Sequence, residues 1–235
     1  MKINKQSNLY TIIYIIVIVL VVGTALAVTS LSLRGRQQTN ADADKMRQIL
    51  ASARITAQDG DVVSVFNESI TAQPVYNSRG EQIGDDAFTI DVAAESRMPE
   101  AERSLPVFVC QTPAGTKYII PLYGAGLWGP IWGYMAFDAD GSTIYGAFFA
   151  HQGETPGLGA EIEKPAFSGQ FTGKQMFKDS RFMPVTVVKK GQKPSGDEDY
   201  VDGISGGTIT SKGVAAMIDN CLVPYQAFLK NLNKD

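Results

Sequence analysis

From Gln6 to Leu33 the chain runs for 28 residues without a charged side chain, and Tyr10–Val22 within that run is almost wholly apolar. About 20 such residues suffice to cross a hydrocarbon core of roughly 30 Å, so the run is long enough for a transmembrane helix with some tilt. Tyr10 and Tyr14 lie towards one end, where amphipathic rings favour the membrane interface. A cleaved signal peptide is the rival reading, with Lys2 and Lys5 in front and Ala25-Leu26-Ala27 as a small-residue cleavage site. The apolar stretch exceeds the ~7–15 residues usual for a signal, which favours an uncleaved anchor. Lys2 and Lys5 precede the run and Arg34, Arg36, Lys45 and Arg47 come after it, so counting basic residues leaves the orientation open.

The composition narrows the chemistry open to the rest of the chain. A single histidine, His151, excludes any site built from several imidazoles, and two cysteines, Cys110 and Cys221, exclude zinc fingers and cysteine-ligated iron–sulfur clusters. No group of carboxylates is spaced to take over as metal ligands, so no metal is expected. A net charge of −3 gives no electrostatic footprint for nucleic acid. An organic cofactor, a hydroxyl nucleophile, or no chemistry at all remains.

Residues 1–8 read as a short tail, 9–33 as the membrane helix, 34–59 as a stalk with an amphipathic helix, and 60–235 as one soluble domain. Gly35–Asn40 is a polar neck, after which Met46, Ile49, Leu50 and Ala53 fall on one helical face with Asn40 as N-cap. Val62–Phe66, Pro106–Cys110, Lys117–Leu122 and Val185–Lys189 are β-branched or aromatic runs and read as strands. Ile131–Phe137 and Thr143–Ala150 flank Asp138-Ala139-Asp140-Gly141, a hairpin signal. Gly191–Gly203 reads as an acidic loop, and Val214–Leu232 as a helix split or kinked at Pro224. The fold class expected is α+β: an antiparallel sheet with flanking helices behind a single N-terminal transmembrane helix.

Three segments stand out. Asp202–Gly213 (DGISGGTITSKG) holds four hydroxyl residues and four glycines in front of the helix. Read on the residues alone, it is either a glycine-rich turn capping the helix through Thr210 or Ser211, or an anion-binding turn at a helix N-terminus with Lys212 adding charge. It matches neither the P-loop pattern nor GxGxxG. Gly124–Gly133 (GAGLWGPIWG) carries both tryptophans: Trp128 among glycines suits stacking with a planar ligand, and Trp132 suits a strand core. His151–Ala160 (HQGETPGLGA) comes after a strand, and its lone histidine suits a hydrogen-bonding role better than catalysis. Ser205, Ser211 and His151 do not make a serine hydrolase, because the GxSxG elbow is missing.

Taken together, the segments resemble the covalent FMN-binding domains of the sodium-translocating NADH:quinone oxidoreductase and of the related Rnf electron-transport complex. Asp202-Gly203-Ile204-Ser205-Gly206-Gly207-Thr208 resembles their D-G-x-[ST]-G-A-T attachment motif, with Gly207 where alanine is usual. GLWGPIWGYM and HQGETPGLGAEI look like the other two signatures, and the single span with the stalk helix looks like the C-subunit branch. The resemblance implies FMN joined through a phosphoester to Thr208, within a cofactor-binding set of Asp202, Ser205, Gly206, Gly207, Thr210 and Lys212. It further implies that Glu154, Thr155, Leu158 and Gly159 line the flavin, with Leu127 and Trp128 nearby.

The partners implied are the other subunits of a membrane redox complex, the lipid around the anchor, and a flavin transferase that takes FMN from FAD with magnesium. The place implied is the bacterial inner membrane, single-pass, with the soluble domain periplasmic. The function expected is electron relay within a sodium-translocating NADH:quinone oxidoreductase. The alternatives are the equivalent subunit of the Rnf ferredoxin:NAD complex, or a non-redox anchored binding or assembly protein.

Overall fold

The computed structural model describes residues 8–58 and 60–232; Lys2 and Lys5 of the expected tail, and Asp59 of the expected stalk, lie outside them. The chain divides into two units, Met1–Lys45 and Met46–Asp235. The first unit is helical over its described residues. Helix α1 (Asn8–Ser52) runs unbroken through the stretch expected as a polar neck. Glycine and the short polar residues lower helix propensity by only ~0.5–1 kcal/mol each, too little to end a helix that is strongly propagated on both sides. Its apolar part has no buried side chains.

In the second unit the last turns of α1 bury Ile49 and Leu50 completely. Helix α2 (Val62–Ser69) comes next, where a strand was expected. Val62 and Phe66 share a face at either period, so five residues could not choose between helix and strand. Packing chose: the Phe66 ring meets Phe88 at 5.8 Å and Phe108 at 6.4 Å between centroids.

Strand β1 (Ile70–Ala72) leads into a small sheet of β2 (Val75–Tyr76), β3 (Gln82–Gly84) and β4 (Leu105–Pro106), with the short helix α3 (Val92–Glu95) before β4. The main sheet adds β5 (Phe108–Thr112), β6 (Gly115–Ala125), β7 (Pro130–Phe137) and β8 (Ile144–His151), in the order β1-β5-β6-β7-β8, every pair antiparallel. The expected hairpin is present. Asp140 accepts hydrogen bonds from the Ser142 and Thr143 amides and from the Thr143 hydroxyl at 2.6–2.9 Å, fixing the β7–β8 turn.

The strand period of two divides the side chains between two cores. Ile131, Met135 and Phe137 face one cluster, while Trp132, Tyr134 and Ala136 face the other, which holds Ile49, Leu50 and Phe66. The first cluster is closed by α4 (Pro165–Ser168), the strand pairs β9 (Phe177–Lys178) with β10 (Arg181–Phe182) and β11 (Thr186–Val188) with β12 (Tyr200–Asp202), then α5 (Thr208–Leu222) and α6 (Gln226–Leu232). Strand β12 lies inside the segment expected as loop and runs parallel to β11. Helix α5 begins six residues before the expected Val214, and the chain turns at Pro224 through a 3-10 segment, Val223–Tyr225. The architecture is α+β, a central antiparallel sheet with helices.

Candidate functional site

The first turn of α5 is held from both sides by backbone. Beyond β12, the Gly203 amide donates to the Val188 carbonyl at 2.7 Å, and the Gly207 amide donates to the Ile204 carbonyl at 3.0 Å. The intervening turn places Gly206 at φ +78°, a left-handed conformation that a side chain at this position would strain. A Cβ there would also come within 2.6 Å of the Leu158 side chain. Gly207 is the N-cap, and no side chain caps α5 among the described residues. The expectation that Thr210 or Ser211 caps the helix is corrected. Ser211 Oγ accepts from the Ile204 amide at 2.9 Å, and the Thr210 hydroxyl donates to Glu154 Oε2 at 2.6 Å. Thr208, the first residue of the helix, is exposed.

Glu154 joins the three segments. Its carboxylate, in a residue only 5% exposed, accepts from Thr210 through one oxygen and from the Trp128 amide at 2.9 Å through the other, with the Leu127 amide also bonded to it. A Cβ at Gly126 or Gly159 would strike the carboxylate, so hydrogen is the only side chain that either position accepts beside it. Burial raises the Glu154 carboxyl, but the Thr210 hydroxyl and the Trp128 and Leu127 amides outweigh it and hold the group below the ordinary carboxylate range. An ionised carboxylate therefore staples residues 126–128, 154–159 and 206–210 into one surface.

On that surface Leu127, Trp128, Leu158 and Ile209 are exposed, Trp128 by 69%. Four large apolar side chains in solvent beside a hydrogen-bonded staple give a surface suited to a planar ring. Thr155 is exposed, and its carbonyl accepts from the Leu158 and Ala160 amides at 3.1 and 3.2 Å, shaping the turn before Gly159. Asp202 does not join the group. It ends β12, and its carboxylate accepts from the Gly191 amide at 3.4 Å.

Ser205, Gly206, Thr208, Ser211 and Lys212 line a cavity of about 610 Å³, whose opposite wall is Val187–Lys190 with Gln192 and Lys193. Lys189, Lys190 and Lys193 were missed from sequence because Lys189 ends a run expected as strand, Lys190 borders the run expected as acidic loop, and Lys193 falls within it. The cluster KKGQK was the available signal.

The remaining candidates are structural. His151 Nδ1 accepts from the Glu154 amide at 3.1 Å, and its Nε2 lies 3.6 Å from Glu163 Oε1, so the imidazole braces the turn that carries Glu154. Trp132 Nε1 donates to Gln48 Oε1 at 2.9 Å and belongs to the core, as its strand position implied. Cys110 and Cys221 are free thiols in the two different cores, on opposite faces of the sheet, so no disulfide joins them.

Comparison with known proteins agrees with this geometry. Residues 126–223 match a family described as the FMN-binding domain, a span that holds His151–Ala160 and Asp202–Gly213 whole and Gly124–Gly133 from its third residue onward. The C subunit of the Na(+)-translocating NADH-quinone reductase of Vibrio anguillarum is 33% identical over 93% of this chain and 92% of its own length. The same subunit of Yersinia pestis is 32% identical over 90% and 87%. The crystal structure of the C subunit from Parabacteroides distasonis superposes with a TM-score of 0.78 at 50% identity, covering 84% of this chain and 96% of that one. NqrC of Shewanella oneidensis gives 0.69 at 27% identity, over 83% and 100%. The chain belongs to the family of Na(+)-translocating NADH-quinone reductase C subunits.

Proposed function

We propose that the chain is the FMN-carrying electron-transfer subunit of a Na(+)-translocating NADH-quinone reductase, with the flavin joined by a phosphoester to the Thr208 hydroxyl. The observation that carries this reading is the Glu154 staple, which leaves one exposed threonine at an uncapped helix start beside four exposed apolar side chains.

The residues present fit the group. An uncapped helix N-terminus favours a phosphate diester's single negative charge by roughly 0.3–1 kcal/mol at a surface. A threonine hydroxyl is a weak nucleophile unaided, and the described residues around Thr208 supply no general base, so attachment falls to a separate flavin transferase. In that step the Thr208 oxygen bonds to the FMN-side phosphorus of FAD, AMP leaves with the bridging oxygen, and the hydroxyl proton passes to a base of the transferase. When bound, FMN supplies one-electron chemistry. The protein's part is to hold the ring: Trp128, Leu127 and Leu158 offer apolar contact, and the buried Glu154 charge keeps their segments together. Ser205, Gly206 and Lys212 border the cavity beside Thr208, Gly207 and Gly159 let their segments approach closely, Thr155 shapes the turn before Gly159, and Asp202 holds the Gly191 amide apart from the ring surface.

In the arrangement proposed, α1 anchors the chain in the bacterial inner membrane through residues 9–33, residues 34–59 form the stalk, and the domain beyond faces the periplasm. Electrons arrive from one subunit of the complex and leave to another. Expression of Thr208→Ala with a transferase tests the assignment. The variant is expected to fold, to show the polypeptide mass alone, and to run as a dark band under ultraviolet light after denaturation, where the wild type fluoresces. Covalent flavin on the variant, or its absence from the wild type, rejects Thr208.

A further inference from the structure

The cavity against which Thr208 stands has a charge unlike that of the rest of the chain. Lys189, Lys190, Lys193 and Lys212 line its 610 Å³, and no carboxylate does, in a protein of net charge −3. None of the four makes an ion pair among the described residues, whereas Lys117 and Lys178 are paired with Asp138 and Asp199 at 2.7 and 3.0 Å. Thr208, Ser211 and Lys212 reach it from one face of α5, at positions i, i+3 and i+4. The lysine wall is tied down from the far side: Asp202 accepts from the Gly191 amide, and the Gly203 amide bonds to the Val188 carbonyl. Unpaired ammonium groups converging on a concave space beside helix N-terminal amides hold phosphoryl oxygens by charge-assisted hydrogen bonds.

We propose that this lysine-walled cavity is a non-covalent binding site for the phosphoryl groups of a flavin nucleotide, occupied before and independently of any bond to Thr208. The identity of the nucleotide rests on the flavin function proposed for the chain. Its phosphate has two possible sources, the monophosphate of FMN and the diphosphate of FAD. Either would be placed beside the Thr208 hydroxyl, and binding would screen a patch of like charge that the apo-protein otherwise leaves to solvent.

The full-length Thr208→Ala chain in detergent, which cannot be esterified, is titrated with FMN, FAD and riboflavin by flavin fluorescence. Riboflavin, lacking phosphate, is expected to bind at least about tenfold more weakly than the better nucleotide, and added salt should narrow that gap. Tighter FMN assigns the cavity to the product's phosphate, and tighter FAD to the donor's diphosphate. In the same background Lys190→Ala/Lys193→Ala/Lys212→Ala should weaken the nucleotide about tenfold and leave riboflavin unchanged, while the three arginine replacements retain binding. All three positions are exposed, so the fold is not at stake. Equal binding of riboflavin, no binding of either nucleotide, or indifference to the alanine replacements overturns the site. Intact mass of the wild type made with the transferase reports separately on attachment: a flavinylated wild type beside an indifferent lysine variant defeats this inference alone, and an unmodified wild type defeats the attachment reading.

Discussion

The two ends of α5 are built on opposite principles. At the C-terminal end the buried polar side chains Arg103, Cys221 and Tyr225 are all hydrogen-bonded. The buried Arg103 guanidinium donates to the Met98, Ser96 and Asn220 carbonyls and to Asn220 Oδ1 at 2.7–3.0 Å. Cys221 Sγ exchanges hydrogen bonds with the Tyr123 backbone, and the fully buried Tyr225 hydroxyl donates to the Pro106 carbonyl at 2.8 Å. At the N-terminal end no side chain caps the helix among the described residues, its first side chain is in solvent, and the nearest buried charge, Glu154, divides its bonds between Thr210 of the helix and the Trp128 amide outside it. One end holds the helix to the sheet. The other, among the described residues, keeps unspent amide donors and a free Thr208 hydroxyl, which is the condition for taking a ligand.

Arg103→Met should cost most, about 3 kcal/mol in urea unfolding, because three carbonyls lose a charged donor where little water can replace it. It should leave flavin attachment at permissive temperature intact; a loss below ~1 kcal/mol would mean that the C-terminal anchor is not what holds the helix. Gly159→Ala comes next, at about 2 kcal/mol, since its methyl meets the Glu154 carboxylate and the Thr210 hydroxyl. Unlike Arg103→Met, it should also lower the flavinylated fraction seen by intact mass.

Glu154→Gln should cost about 1.5 kcal/mol near neutral pH, the difference between charged and neutral acceptors. Its sign can be checked with acid. The carboxyl is depressed in the fold, so its contribution is whole above the unfolded glutamate pKa and is lost as pH falls through the lower folded value. The gap between wild type and Glu154→Gln should therefore close on acidification below about pH 4.5, and a gap that widens there would contradict an ionised staple. Gly207→Ala is the smallest change. The backbone there, at φ −102°, admits alanine, and the new Cβ would lie 3.1 Å from Ile204 Cβ, a shift of a few tenths of an ångström. Stability should move by less than about 0.5 kcal/mol, with attachment unchanged.

Much of this was legible in the chain's order of residues. The β7–β8 hairpin was announced by Asp140 and Gly141, and the long apolar helix by the length of its uncharged run. Residues 62–66 were misread because two apolar residues four apart fit helix and strand alike, and β12 was missed because three residues in a polar run carry no period. The roles of Glu154 and of the KKGQK lysines were hidden for a different reason. Glu154 meets Thr210 across 56 residues, and Lys190 shares a cavity with Thr208 only because β11 and β12 pair in parallel.

The sequence by itself determined what depends on near neighbours: an apolar run long enough for a membrane, strands with alternating faces, and a glycine-flanked threonine in front of a helix. Only the tertiary structure decided which carboxylate would be buried and ionised, which lysines would stand unpaired, and that the threonine would remain outside. Burial and charge pairing are set by groups distant in the chain, and no local pattern of side chains records who those partners will be.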